Sequence, residues 1–332
     1  MQNMMIRFIF LLVVLFPTLS SAMSVNNIFV FGDSLSDGGN VYNTTGKLFP
    51  PPPYAQRFSN GPVAVEQLAS MAGVNLLPST IGGTNFAYGG AATGVVPGTS
   101  IDNYLAASIP ILFLNGTGIQ NQVSTASGIS FDPNHALFVV WGGPNDIFTW
   151  LDGITSATID KVVGSAVSNI ITAIGTLNGY GAKNFLIPNM VDLGKTPLGK
   201  NLGGTDQAGL SLISSTFNAF LGQGLDAIIG PNIFRPDVNN LLQLVQASPG
   251  AYGFDNATDA CFDTSTSTPT ICQNPDRYLF WDSVHPTKHG HSLIAGEFYA
   301  SAIPEPPAIA LIGLAVLIGF SFRAKLFRFN EI

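Results

Sequence analysis

Asn27-Ile28-Phe29-Val30-Phe31-Gly32-Asp33-Ser34 is a short apolar run that ends on a glycine and passes at once to an acid and a hydroxyl. Runs this short and this continuous are what a strand buried on both faces shows. Similar runs lie at residues 135–141 (HALFVVW) and 183–188 (KNFLIP), with a weaker one at 232–235. Between and after them, residues 63–71, 159–177, 210–229 and 287–302 have the length and apolar spacing of helices. This alternation predicts an α/β fold, a parallel sheet with helices on both faces. No repeat or biased linker divides the stretch, so it reads as a single domain.

In such a sheet ligands bind at the carboxyl ends of the strands, beside the point where strand order reverses. Ser34 follows the first run directly, and Gly142-Gly143-Pro144-Asn145-Asp146 follows the run at 135–141. A third turn, Asn85-Phe86-Ala87-Tyr88-Gly89-Gly90-Ala91, follows a candidate second strand. All three therefore belong on one rim. Near the far end stands Asp282-Ser283-Val284-His285-Pro286. A serine hydroxyl is a poor nucleophile unless an imidazole takes its proton and a third group holds that imidazole in the right tautomer. Ser34, His285 and Asp282 supply those three residue types. The Ser34 and Gly90 N–H groups with the Asn145 side-chain amide would form an oxyanion hole, although adjacent Gly89 leaves that register open. The reaction class they point to is ester hydrolysis. Each motif alone also has a plain structural reading: a turn and helix N-cap at Ser34, a turn at Asn145, a bend at Gly89-Gly90, a cap at Asp282.

Composition bounds the alternatives. The 332 residues are 46% hydrophobic and only 10% charged, with a net charge of −7. An acidic surface repels phosphate backbones, so nucleic acid is not expected as a partner. A zinc site built from His285, His289, His291 and Asp282 is disfavoured, because Pro286 separates His285 from the helix body and no further Cys, His or Glu cluster completes a set. No metal or cofactor is expected; His289 and His291 read as surface or rim residues and His135 as solvated. The G-x-S-x-G elbow of α/β-hydrolases is absent, and the acid sits three residues before the histidine instead of on a separate loop.

The two ends read as addresses. Arg7, the apolar residues 8–16 and Ser20-Ser21-Ala22 have the order of a secretory signal peptide, which places residues 1–22 outside the mature chain; an uncleaved anchor is the alternative. Export suits the two cysteines, Cys261 and Cys272, which read as a disulfide pinning the loop upstream of Asp282 and His285, or as a plain staple. At the other end Pro304-Glu305-Pro306 precedes the apolar residues 308–322 and then Arg323, Lys325 and Arg328. That order resembles the PEP-CTERM sorting tail of Gram-negative bacteria, which implies an exosortase-type processing enzyme as partner and membrane attachment, transient or permanent, through residues 304–332. A plain C-terminal anchor is the other reading. The expected location is the cell envelope or the extracellular space.

Taken together, Gly32-Asp33-Ser34-Leu35-Ser36-Asp37, Gly90 in its turn, Gly143-Pro144-Asn145-Asp146 and Asp282-Ser283-Val284-His285-Pro286 resemble, in order, the four signature blocks of the SGNH (GDSL) hydrolases. Arg57-Phe58-Ser59-Asn60-Gly61-Pro62 is similar to a segment of the branch that holds plant GDSL lipases and bacterial phospholipases and haemolysins. The resemblance spans residues 27 to about 300, within a domain read as 23–303. It implies a three-layer α/β/α fold with a five-stranded parallel sheet, and metal-free hydrolysis of ester or lipid substrates. By position Ser34 matches the nucleophile and first oxyanion donor, Gly90 and Asn145 the other donors, His285 the base and Asp282 its orienting acid. Two further readings keep the fold: an acyltransferase with the same acyl-enzyme chemistry, and a tethered binding protein with an idle site. Residues 93–130, with Ile109-Pro110-Ile111-Leu112-Phe113-Leu114, either border an acyl pocket or form a core element.

Overall fold

Strand β1 (Asn27–Gly32) is buried from Ile28 onward and strand β2 (Ala136–Trp141) along its whole length, as a two-sided burial requires. The structure is a computed structural model and describes residues 24–265 and 268–303; the leader and tail readings fall outside the described residues. β1 pairs in parallel with β2 from Asn27↔Ala136 to Gly32↔Trp141. β2 pairs in parallel with β3 (Asn184–Leu186), and β3 with β4 (Asn232–Phe234). These four regular strands lie in the order β1-β2-β3-β4.

The fifth position is filled by residues 84–88, which run parallel along the free edge of β1. Val30 donates to the Thr84 carbonyl at 3.0 Å, and Phe86 and Tyr88 donate to the Val30 and Gly32 carbonyls at 2.8 and 3.1 Å. Only one residue pair, Val30↔Asn85, makes a bridge. Asn85 turns its own N–H and carbonyl to the other side, to Leu77 and Ser79. In chain order the sheet therefore reads 2-1-3-4-5, and its strand order reverses between β1 and β2.

The helices form the outer layers of the three-layer α/β/α domain. In chain order they are α1 (Asn40–Thr44), α2 (Ala64–Met71), α3 (Tyr104–Ser108), α4 (Ile119–Thr125) and α5 (Pro144–Leu151), followed by α6 (Ile159–Gly179), α7 (Pro197–Leu202), α8 (Gly204–Asp226), α9 (Val238–Ala247) and α10 (Lys288–Ala302). α6 packs against α8 and β2, and α10 against α2. Trp141 of β2 meets Phe298 of α10 edge-on at 5.4 Å. α6 is long and apolar enough to cross a membrane, yet Val162, Val163, Ala166, Val167 and Ile170 are buried in the domain.

α10 begins where Thr287 accepts the Gly290 N–H at 3.1 Å, an N-cap. His291 on this helix is fully buried, not at the surface or rim as expected. Its Nδ1 accepts the Ala64 N–H at 3.2 Å, where α10 crosses the start of α2. Burial lowers its pKa to about 3, so it is a neutral core residue. His135 is solvated beside Asp132, and half-buried His289 lies on Phe254 with Nδ1 2.7 Å from the Asp276 carbonyl.

Cys261 and Cys272 are joined in a disulfide. It ties the short antiparallel pair β6 (Phe262–Asp263) and β7 (Thr270–Ile271), which follows β5 (Asn256–Ala260) and precedes β8 (Tyr278–Phe280). For so small a loop the chain-entropy model gives about 3 kcal/mol at most. Replacing both cysteines by serine should lower the unfolding free energy in urea by no more than that. Wild-type protein with its disulfide reduced should then unfold at the same midpoint as the variant.

Candidate active site

β1 ends at Gly32, where no side chain fits: a Cβ there would lie 2.4 Å from the Trp141 carbonyl oxygen. Gln122 of α4 fixes this strand end from the side, its Oε1 accepting the Gly32 N–H and its Nε2 donating to the Gly32 carbonyl, both at 2.8 Å. The chain then turns sharply, with Asp33 Oδ1 accepting the Leu35 N–H at 3.0 Å and the Asp33 carbonyl accepting Ser36 and Asp37. Ser34 sits on the outside of that turn. Its side chain caps no helix; Oγ lies 2.7 Å from His285 Nε2.

The base comes from the turn between β8 and α10. The Trp281 N–H donates to the His285 carbonyl at 2.7 Å, and Phe280 bridges Pro286. Asp282 and His285 are thereby held side by side, His285 Nδ1 being 2.9 and 2.8 Å from the two carboxylate oxygens. Because Thr287 already caps α10, Asp282 does not serve as its cap. Its Oδ1 also accepts the Val284 and His285 N–H groups at 2.9 and 2.8 Å. Burial alone would raise the Asp282 pKa, but His285 and these backbone donors more than offset that and hold it below the usual carboxylate value.

The segment 57–62 clamps the same turn. The Phe58 ring packs 5.5 Å from the His285 ring, Ser59 Oγ donates to the Pro286 carbonyl at 2.8 Å, and Asn60 Oδ1 accepts the Lys288 N–H at 2.6 Å. Arg57 is paired with Glu66 of α2. Tyr54, which sequence reasoning did not single out, donates its hydroxyl to Asp282 Oδ2 at 2.7 Å.

The two glycine-rich turns lie on the same rim. Asp37 accepts the Gly39, Asn40 and Val41 N–H groups at the start of α1 and the Gly89 N–H at 2.9 Å. Gly89 is therefore already engaged. Among the described residues the Gly90 and Ser34 N–H groups donate no hydrogen bond. Gly90 has φ +77°, a left-handed conformation, and a Cβ there would lie 2.6 Å from Asn103 Oδ1. Asn145, in the first turn of α5, spends one amide hydrogen on the Ala91 carbonyl at 3.0 Å and keeps the other.

Ser34, Gly90, Asn145 and His285 line one cavity of about 230 Å³ between these turns. Its remaining wall is mostly apolar, with Leu35, Leu105, Phe148, Leu151, Val191 and Leu193. From residues 93–130 the lining side chains are Tyr104 and Leu105; Leu114 is buried, whereas Ile111 and Phe113 are 76% and 85% exposed. The two readings for that stretch thus divide among its residues, and Ile111 and Phe113 fit neither.

Three buried carboxyls support the rim. Burial raises Asp33 and Asp37 to about 6 and Asp146 to about 7, despite the backbone N–H groups that each accepts. Asp33 Oδ2 has no hydrogen-bond partner among the described residues.

Residues 28–298 match the family model described as GDSL-like lipase/acylhydrolase. The chain is 26% identical to the thermolabile hemolysin of Vibrio parahaemolyticus, over 84% of this chain and 64% of that one. It is 30% identical to esterase EstA of Pseudomonas aeruginosa, over 83% of this chain and 46% of that one. A GDSL esterase/lipase of Arabidopsis thaliana is 24% identical over 83% of this chain and 89% of its own. The chain thus spans under two thirds of the length of the hemolysin and about half that of EstA.

A carboxyl whose pKa is higher folded than unfolded binds its proton more tightly in the native state. It stabilises the fold at low pH, and that contribution is lost as pH rises through the folded value. For Asp33 the window runs from about 4 to about 6. Asp33→Asn, which removes the buried charge but not the shape, should raise the melting temperature at pH 8 and leave it unchanged at pH 4. Calorimetry at the two pH values checks this.

Proposed function

Because the chain belongs to the GDSL-like lipase/acylhydrolase family, we propose that it hydrolyses carboxylic esters with Ser34 as nucleophile, His285 as base and Asp282 as orienting acid. The observation that carries this reading is the unbroken contact from Ser34 Oγ through the imidazole to the Asp282 carboxylate, opening on an apolar cavity. His285 Nε2 takes the Ser34 proton as Oγ attacks the acyl carbon; Asp282 holds the tautomer and stabilises the imidazolium. The carbonyl oxygen becomes an oxyanion held by the Ser34 and Gly90 N–H groups and the Asn145 amide, the donors left unspent by the fold. His285 then returns the proton to the leaving alcohol, and water, deprotonated by the same imidazole, releases the acid.

The family description, lipase/acylhydrolase, and the names of two relatives, an esterase/lipase and an esterase, support ester or lipid substrates. The mature domain is proposed to be 23–303, exported after loss of residues 1–22, with residues 304–332 attaching it to the membrane until an exosortase-type enzyme cuts the tail. The order of leader and tail motifs in the sequence supports this.

Purified protein should hydrolyse p-nitrophenyl esters in the presence of a chelator. Ser34→Ala should abolish that turnover while keeping the melting temperature; wild-type rates in the variant would sink the assignment. Asn145→Ala should lower kcat by about 10²- to 10³-fold, the usual cost of losing one oxyanion donor. Adding a primary alcohol and measuring the product ratio separates hydrolysis from acyl transfer.

A further inference from the structure

Asp282 is 7% exposed, and the phenol that reaches its carboxylate sits in a cluster of aromatic rings. Tyr54 meets Phe58, Phe262 and Trp281 edge-on, with centroids 6.4, 5.6 and 6.2 Å away. Phe262 and Trp281 stack on each other, and Phe262 directly follows the disulfide-bonded Cys261. Into this nest Asp282 directs Oδ2, whose contacts are His285 Nδ1 and the Tyr54 hydroxyl. An ionised oxygen buried among rings is costly unless it receives hydrogen bonds, and charge-assisted bonds are the strong ones.

We infer that Tyr54 is a positioning residue of the site, whose hydroxyl fixes the Asp282 carboxylate and tempers its basicity toward His285; this rests on the assignment of Ser34, His285 and Asp282 given above. Two backbone N–H groups clamp Oδ1, and the Tyr54 hydroxyl fixes Oδ2. The phenol also changes charge. A donor on Oδ2 draws electron density from the carboxylate and so weakens its hold on the imidazolium. The other titratable groups coupled to His285 are Asp33 after β1 and His291 of α10, and neither touches Tyr54. Arg57 nearby is committed to Glu66. The Tyr54 pKa is raised, by burial first and by Asp282 second, so the phenol remains a donor throughout the working range.

Tyr54→Phe keeps the ring and removes the donor. The His285 titration, followed by proton NMR of the imidazole, should move to higher pH by about half a unit or more. The acidic limb of kcat/KM should move with it, because the base must be neutral, and kcat on the plateau should fall about tenfold with KM little changed. 3-Fluorotyrosine at position 54, a stronger donor of nearly the same shape, should shift the titration the opposite way and serves where Tyr54→Phe folds poorly. Titrations that superimpose on wild type, or that move to lower pH with Phe, overturn the inference. The NMR titration needs no turnover. An inactive wild-type protein would therefore sink the hydrolase reading without deciding the role of Tyr54, which the titration decides by itself.

Discussion

One contact joins the ends of the domain: the hydroxyl of Ser34 and the imidazole of His285 lie 2.7 Å apart but 251 positions apart in sequence. Neither partner is on a regular element. Ser34 projects from the turn after β1 and His285 from the turn before α10, so the distance between them is set by what grips each turn. On the Ser34 side the grip comes from Asp33 on Leu35 within the turn and from Gln122 of α4 on Gly32. On the His285 side it comes from segment 57–62, which holds the carbonyl of Pro286, the N–H of Lys288 and the face of the ring. A site assembled this way is rigid only if every loop carbonyl and N–H has a partner, since unpaired ones would favour other loop conformations.

The rim solves that problem with buried carboxyls. Asp37 gathers four backbone N–H groups and so ties the turn after β1 to the glycine turn after residues 84–88. Asp146 takes the N–H and hydroxyl of Thr93, tying the turn after β2 to the chain beyond Ala91. Asn103 closes the set by donating to the Gly89 carbonyl at 2.9 Å. Burial raises Asp37 to about 6 and Asp146 to about 7, so the rigidity of the rim is obtained at a cost in burial energy. This bonding also separates Gly89 from Gly90: a donor spent on Asp37 is not available to an oxyanion, and the next one along is.

Much of this was legible because it is local. β1 and β2 announce themselves as continuous apolar runs, and the strand-end motifs follow them directly. Residues 85–91 read as a glycine-rich turn after a candidate strand, whereas 84–88 run along β1; Thr84-Asn85-Phe86-Ala87-Tyr88 mixes polar and apolar side chains at a half-paired edge and carries no strand period. α8 starts at Gly204 rather than near 210; its first turn, Gly204-Thr205-Asp206-Gln207, buries no apolar side chain and so gives no apolar period to read. His291 was misplaced although the signal was present: His291, Ile294, Ala295 and Phe298 recur at i, i+3, i+4 and i+7 and form one buried stripe of α10.

Tyr54 marks where local reading ends. It lies in the proline-rich stretch Pro50-Pro51-Pro52-Pro53-Tyr54, which has neither strand nor helix period, and its partner is 228 positions away. Nothing in the stretch itself predicts a donor to a carboxylate; the need becomes visible only from the Asp282 side. An acid that orients an imidazole has two oxygens, and the backbone turn that places it can supply donors to one of them. The second must be satisfied from elsewhere in the fold, by water if the site is open and by a side chain if it is closed. Here Phe58, Phe262 and Trp281 surround the Tyr54 ring, and the phenol is the group that reaches the second oxygen.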